Sequence, residues 1–292
     1  MKSFKISLFL LTTVVSGVTA AEVQLDENGN VESVDADTNR YYDFATNNKP
    51  WSILEEIFPE AANSIDKFWG KHPVYLPRSA ADSEGSSSSS LQRIVPDRSK
   101  SQNRFSHLFQ IDDSLAVLQN NPQLVHGQDY YVLKYILKDG EEWNGQIPYS
   151  SIPVQDLPAL LNQQAFSLVI NNIQKYWGPV KKFARSLELE TLVTTTCNLY
   201  LTPPKKARAF ESHLDWMDVI VLQLEGEKMW SVAPDPMIHL ALPDQKRKPT
   251  KEELHSTLFQ DVLLRPGDAL YIPRGHLHNA TTTSGDRNTL CT

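Results

Sequence analysis

The chain has 292 residues, with 28 Lys and Arg against 35 Asp and Glu, a formal net charge of −7 and 40% hydrophobic residues. That length fits one large domain, or one domain with a preface, and the composition supports a sizeable core. The acidic balance excludes a general electrostatic nucleic-acid binder, and two cysteines, Cys197 and Cys291, exclude a disulfide framework.

Residues 1–20 read as a secretory signal peptide. Lys2 and Lys5 supply the positive start, ISLFLLTTVVSGV the apolar core, and Val18-Thr19-Ala20 the small residues for cleavage before Ala21. The apolar run is too short for a transmembrane helix, and no other stretch reads as membrane-spanning. On this reading the mature chain carries −9 and belongs to the secretory pathway or the extracellular space. Residues 21–50 are polar and acidic and read as loosely ordered. Helical spacing follows in WSILEEIF and AANSIDKFW, with Gly70 as a stop, and Pro73–Pro77 reads as a short strand. The segment SAADSEGSSSSS (79–90) reads as a flexible loop.

Further on, Asp112 or Asp113 is placed to cap a helix through SLAVLQNN, and DYYVLKYILKDGEEW reads as a strand reaching a turn at Asp139-Gly140. PVQDLPALLNQ suggests a helix and FSLVI a strand. IQKYWGPVKKFARSLEL is helical with a break expected at Gly178-Pro179. From Leu192 onward β signals dominate, and there is no internal repeat.

The informative stretch is SHLDWMDVIVLQLEGEKMW. His213 and Asp215 are two residues apart, and on an extended strand such residues share a face. An imidazole beside a carboxylate makes two of the three ligands of the 2-His-1-carboxylate triad that holds non-haem Fe(II). The β-branched run VIVLQLEG turns at Gly226, and KMWSV resumes with Lys228, Trp230 and Val232 on one face. Near the end, LLRPGDALYIPRGHLHNA places His276 and His278 after a Pro-Gly-Asp turn and an apolar strand. Alternation puts both histidines inward and leaves the third ligand open between them.

HLDWMDVIVLQLEGEKMW together with RPGDALYIPRGHLH resembles the JmjC-type, cupin-fold Fe(II)/2-oxoglutarate oxygenases, in particular the ribosomal-oxygenase branch of bifunctional lysine-specific demethylases and histidyl-hydroxylases. The resemblance extends upstream through NLYLTPP (Asn198 to Pro204) and, more loosely, FWGKHPVYLPR (Phe68 to Arg78). It implies a mainly β (α+β) fold with N-terminal helices. A helical and β preface would span 51–190 and a double-stranded β-helix (cupin, jelly-roll) core 191–292. It implies Fe(II) held by His213, Asp215 and His278, the last chosen by the family pattern P-x-G-x-x-H over Pro273 to His278. Lys228 stands where the family binds the distal carboxylate of 2-oxoglutarate, with Asn198 a weaker contact and O2 as cosubstrate.

The implied reaction is hydroxylation of a protein side chain, histidyl first, with N-methyl-lysine demethylation of histone type as the alternative. A non-catalytic metal- or ligand-binding cupin of the secretory pathway is the reading from another class. The implied partner is a protein substrate, with no direct nucleic-acid binding, and a nuclear or nucleolar location is the alternative to secretion. Only Asn279 to Thr292 follow His278, so the family's further strand, dimerisation region and C-terminal part are not expected and the core reads as truncated. The sequon Asn279-Ala280-Thr281 adjoins the third ligand, and a glycan is not expected there. His72, His107, His126, His239 and His255 have no ligand spacing, and the basic cluster Lys246 to Lys251 reads as a solvated loop.

Overall fold

The computed structural model describes residues 5–13, 57, 65–78, 91–93, 103–138, 141–146, 153–164, 166–203, 210–245 and 247–282. The readings placed on 21–50, on most of WSILEEIF, on 79–90, on Asp139-Gly140 and on Cys291 lie outside these residues. Twelve strands and five α-helices are described. In chain order they are β1 (Lys5–Thr13), α1 (Ile65–Phe68), β2 (Val74–Leu76), β3 (Gln92–Arg93), α2 (Ile111–Asn120), β4 (Tyr130–Lys138), β5 (Glu141–Gln146), α3 (Leu157–Gln164), β6 (Ser167–Ile170) and α4 (Gly178–Thr191). The remainder are β7 (Thr194–Thr202), β8 (Asp218–Glu225), β9 (Lys228–Val232), α5 (Lys251–Ser256), β10 (Gln260–Leu264), β11 (Ala269–Ile272) and β12 (His278–Thr282).

The strands form two sheets, one ordered β3-β2-β11-β8-β1-β7-β6-β4-β5 and a smaller one ordered β10-β9-β12. Every pairing is antiparallel except β2 with β3. This mainly β layout, two facing sheets with helices on one outer side, is the jelly-roll core expected from the pattern.

Strand β8 shows why the sheets stack. Its run DVIVLQLE is buried on both alternations, as a strand covered on both faces must be. Val219 and Val221 join Trp230, Val232, Val262, Leu264, Leu270 and Ile272 in the core between the sheets. Ile220, Leu222 and Leu224 join Leu199, Leu201, Val117, Val180, Phe183 and Leu187 beneath the helices. Gly226, at φ 63°, makes the tight turn that carries the chain from one sheet to the other. Gln223 closes that turn by donating to the carbonyls of Glu225 and Gly226 at 2.8 and 3.1 Å.

Helix boundaries differ from the sequence expectation at two places. Helix α2 begins at Ile111, so Asp112 and Asp113 lie in its first turn and Gln110 is the cap. Asp113 still serves the end, its carboxylate accepting from the Gln110 N–H at 2.8 Å. Gly178-Pro179 does not interrupt a helix but starts α4 after a short 3₁₀ turn at Ile173–Lys175. Proline fits there because the first N–H groups of a helix have no intrahelical partner to lose.

The FWGKHPVYLPR segment docks along β11 through β2. Trp69 stacks on Tyr271 with ring centroids 4.8 Å apart, and the Tyr271 hydroxyl accepts from the Gly70 N–H at 2.7 Å. Buried Asp268 then fastens three pieces of chain. It accepts from the Tyr75 hydroxyl (3.1 Å), the Arg78 N–H (2.7 Å) and the Arg265 N–H (2.8 Å).

Candidate metal centre

His213 and Asp215 do not lie on a strand. Strand β8 starts only at Asp218, and the two residues sit in the loop before it. What fixes them is the other end of the chain. His213 and His278 exchange both backbone hydrogen bonds, at 3.1 and 2.9 Å, as an isolated antiparallel bridge. Asp215 is held through its carbonyl, which accepts from the Gly275 N–H at 2.8 Å. Asp218, the first residue of β8, accepts from the Arg274 N–H at 3.0 Å. The loop bearing His213 and the turn bearing His278 are thus laced together by backbone bonds.

Among the described residues, His213, Asp215 and His278 form the one group of three metal-competent side chains, with ligand atoms all within 4.8 Å of one another. The Asp215 Oδ2 lies 3.8 Å from the His213 Nε2 and 3.6 Å from the His278 Nε2. Each histidine has its other nitrogen occupied. His213 Nδ1 donates to the Glu211 carbonyl at 2.8 Å, and His278 Nδ1 to the His276 carbonyl at 3.0 Å. A carbonyl only accepts, so in both rings Nδ1 carries the proton and Nε2 presents its lone pair. The buried His278 Nε2 has no hydrogen-bond partner. Burial first, then the neighbouring His213, pushes the His278 pKa well below its ordinary value, which keeps this ring neutral and able to ligate.

His276 is elsewhere. It is buried, its Nδ1 donates to the Ala233 carbonyl at 2.9 Å, and it is outside the three-residue group. Gly275, at φ 85°, turns the chain just before it, and β12 begins only at His278, so strand alternation does not govern the pair. The turn is crowded as well: a Cβ on Gly275 would meet the Ile238 carbonyl oxygen at 1.8 Å.

Lys228 opens β9, on the same buried face as Trp230 and Val232. It is 3% exposed, and no charged neighbour contributes to its pKa. Burial lowers its pKa to about 7. Trp230 lies between it and the metal centre, 6.1 Å from the His278 ring and tilted 29° to it. Asn198 sits on β7, its Oδ1 accepting from the Asn172 N–H at 3.1 Å.

Two residues that the sequence reading did not single out complete the wall. Tyr200 follows Asn198 by one alternation on β7, and its ring meets Phe210, which in turn meets His213 at 6.0 Å. Burial and then the Asp215 carboxylate raise the Tyr200 pKa, so the phenol stays neutral. The two-residue step from Asn198 was the available signal for Tyr200. Asn279 is buried and donates to the Ser212 hydroxyl at 3.2 Å, so the sequon side chain is part of the wall.

Residues 173–291 match the family model described as JmjC domain. That stretch, less than half of the chain, is similar to the JmjC family. All five candidate residues, Asn198, His213, Asp215, Lys228 and His278, fall inside it. Over 183 residues the chain is 33% identical to human "Ribosomal oxygenase 1", covering 61% of this chain and 27% of that protein. The rat "Ribosomal oxygenase 1" is 37% identical over 138 residues, covering 46% and 23%. A Dictyostelium discoideum "Bifunctional lysine-specific demethylase and histidyl-hydroxylase NO66" is 34% identical over 123 residues, covering 42% and 24%. The chain therefore spans about a quarter of the length of these curated relatives. Among solved structures, Escherichia coli YcfD, titled a ribosomal oxygenase in complex with cobalt and 2-oxoglutarate, aligns over 76% of this chain and 48% of its own, at 17% identity and a TM-score of 0.42.

Proposed function

We propose that this JmjC domain is an Fe(II)- and 2-oxoglutarate-dependent oxygenase that hydroxylates a protein side chain, histidyl first. The observation that carries the reading is the buried His278 Nε2, neutral and without a hydrogen-bond partner, aimed with His213 and Asp215 at one point. Two imidazole nitrogens and one carboxylate suit a divalent iron and leave further positions open. The donors fit that metal: both histidines are fixed in the ligating tautomer by backbone carbonyls, so little ordering remains to be done on binding. When bound, Fe(II) with 2-oxoglutarate supplies O2-dependent C–H hydroxylation, the cosubstrate leaving as succinate and CO2.

The chain's own residues hold, orient and shield. His213, Asp215 and His278 would hold the metal. Lys228 provides a buried cation with no counter-charge of its own, suited to the distal carboxylate of a five-carbon dicarboxylate. It lies four residues before Val232, the backbone partner of His278, which is roughly 13 Å along the strand. A lysine side chain and an extended dicarboxylate together span that gap. Trp230 backs the His278 ring and keeps water from it, while Tyr200 and Phe210 line the side toward β7. N-methyl-lysine demethylation is the second reading, supported by relatives whose name joins demethylase with histidyl-hydroxylase. Succinate formation by the purified, iron-loaded chain, with histidine-containing and N-methyl-lysine peptides in parallel, is the direct test. Absence of succinate under all conditions would leave a metal-binding cupin without turnover.

A further inference from the structure

Strand β1 holds the middle of the large sheet. It pairs antiparallel with β7 at nine positions, from Lys5 opposite Thr202 to Thr13 opposite Thr194. On its other edge it pairs with β8 at seven positions. The far edge of β7 is taken by β6 and the far edge of β8 by β11. Strand β1 is therefore the link between the β7-β6-β4-β5 half of the sheet and the β3-β2-β11-β8 half.

The register shows what this place demands. Leu8 stands opposite Leu199 and Leu222, and Leu10 opposite Cys197 and Ile220. These four neighbours are fully buried in the core beneath the helices. On the other alternation, Phe9 stands opposite Asn198 and Val221, and Ser7 opposite Tyr200 and Gln223, at positions on the face that carries the metal centre. A strand in this slot has a packed layer on each face, so it needs apolar residues on both alternations. ISLFLL meets that demand, and it does so with the residues that read as the apolar core of a signal peptide. A leader and a doubly covered central strand call for the same composition, and the pairing separates them.

We propose that Lys5–Thr13 stays in the working protein as the central strand of the large sheet and is not removed as a leader. Taking away residues 1–20 would leave the facing edges of β7 and β8 with unpaired backbone groups in the interior of the sheet, a cost that folded proteins avoid. The integrity of the large sheet thus depends on Lys5–Thr13.

Two measurements test this without using metal or turnover, so their outcome is separate from that of the oxygenase reading. The chain, tagged at its C-terminus and expressed in a eukaryotic cell that processes leaders, is purified for intact mass and N-terminal sequencing. A terminus within the first four residues is expected, and a chain starting near Ala21 overturns the proposal. Second, Leu10→Cys puts a thiol opposite the natural Cys197, and directly opposed antiparallel residues lie about 4.5–5.5 Å apart at Cα, within disulfide reach. Burial raises the Cys197 pKa and slows exchange in the folded state, so the full-length variant is refolded in a glutathione redox buffer. Peptide mapping should find the cross-link to Cys197 in Leu10→Cys and not in Leu8→Cys, whose position faces Leu199. Any other pattern, equal linking in both or none in either, overturns the placement.

Discussion

Replacing Lys228 by Met separates what this side chain costs the fold from what it gives the site. Lys228 is 3% exposed, and burial brings its pKa from 10.5 to about 7. That depression corresponds to roughly 5 kcal/mol for charging the amine in place rather than in water. The folded pKa lies below the unfolded one, so the unfolded chain binds more protons between about pH 7 and 10.5. Stability therefore rises with pH through this window, and the penalty is fully present below pH 7. Met has similar length and no charge, so Lys228→Met should stabilise the ligand-free protein at pH 7, and even 1 kcal/mol raises Tm by roughly 2–4 °C.

The same substitution should cost the site its anchor. A charge-assisted contact is worth about 1.5–3 kcal/mol, or a loss of roughly tenfold to a hundredfold in 2-oxoglutarate affinity. Because the carboxylate favours the charged amine, binding to the natural chain takes up a proton above pH 7. Its affinity should fall about tenfold per pH unit from there, a slope that Lys228→Met removes. Calorimetric titration of 2-oxoglutarate, with Mn(II) in place of iron and in buffers of different ionisation enthalpy, measures both affinity and proton uptake. A variant that loses stability while keeping 2-oxoglutarate affinity and its pH slope would refute the reasoning and mean that the amine is paired elsewhere.

The remaining outcomes concern the centre and its supports. His213→Ala, Asp215→Ala and His278→Ala should each lose stoichiometric Co(II) or Fe(II) on reconstitution, whereas His276→Ala, bonded to the Ala233 carbonyl and outside the triad, should keep most of it; metal content by mass spectrometry reads the difference. Gly275→Ala should cost more than Gly70→Ala in denaturant unfolding. Both place a Cβ at positive φ, about 1–2 kcal/mol, but only at Gly275 does that Cβ collide with a backbone oxygen, adding roughly 1–3 kcal/mol. Asp268→Ala leaves the Tyr75 hydroxyl and the Arg78 and Arg265 N–H groups without their acceptor and should destabilise by on the order of 3 kcal/mol, read as a shifted urea midpoint.

Much of this protein is legible without coordinates. The apolar run after Asp215, the turn at Gly226 and the alternation of Lys228, Trp230 and Val232 are local matters of period and turn chemistry, and they determine the hairpin and its buried face. The His-x-Asp and later His-x-His spacings single out every side chain of the metal-competent group. Period alone could not choose His278 over His276, because the rule of alternation holds only inside a strand and β12 starts at His278. That choice was made by the Gly275 turn, the Ala233 carbonyl and the backbone bridge to His213, all contacts between segments distant in sequence. Tyr200 and Phe210 became part of the wall in the same way, by folding against His213. The N-terminal apolar run shows the limit most clearly. Its composition fits a leader and a covered strand alike, and only the backbone pairing with β7 and β8 points to the strand, since hydrogen bonding between strands is indifferent to side chains and leaves no mark in the sequence of the strand that completes it.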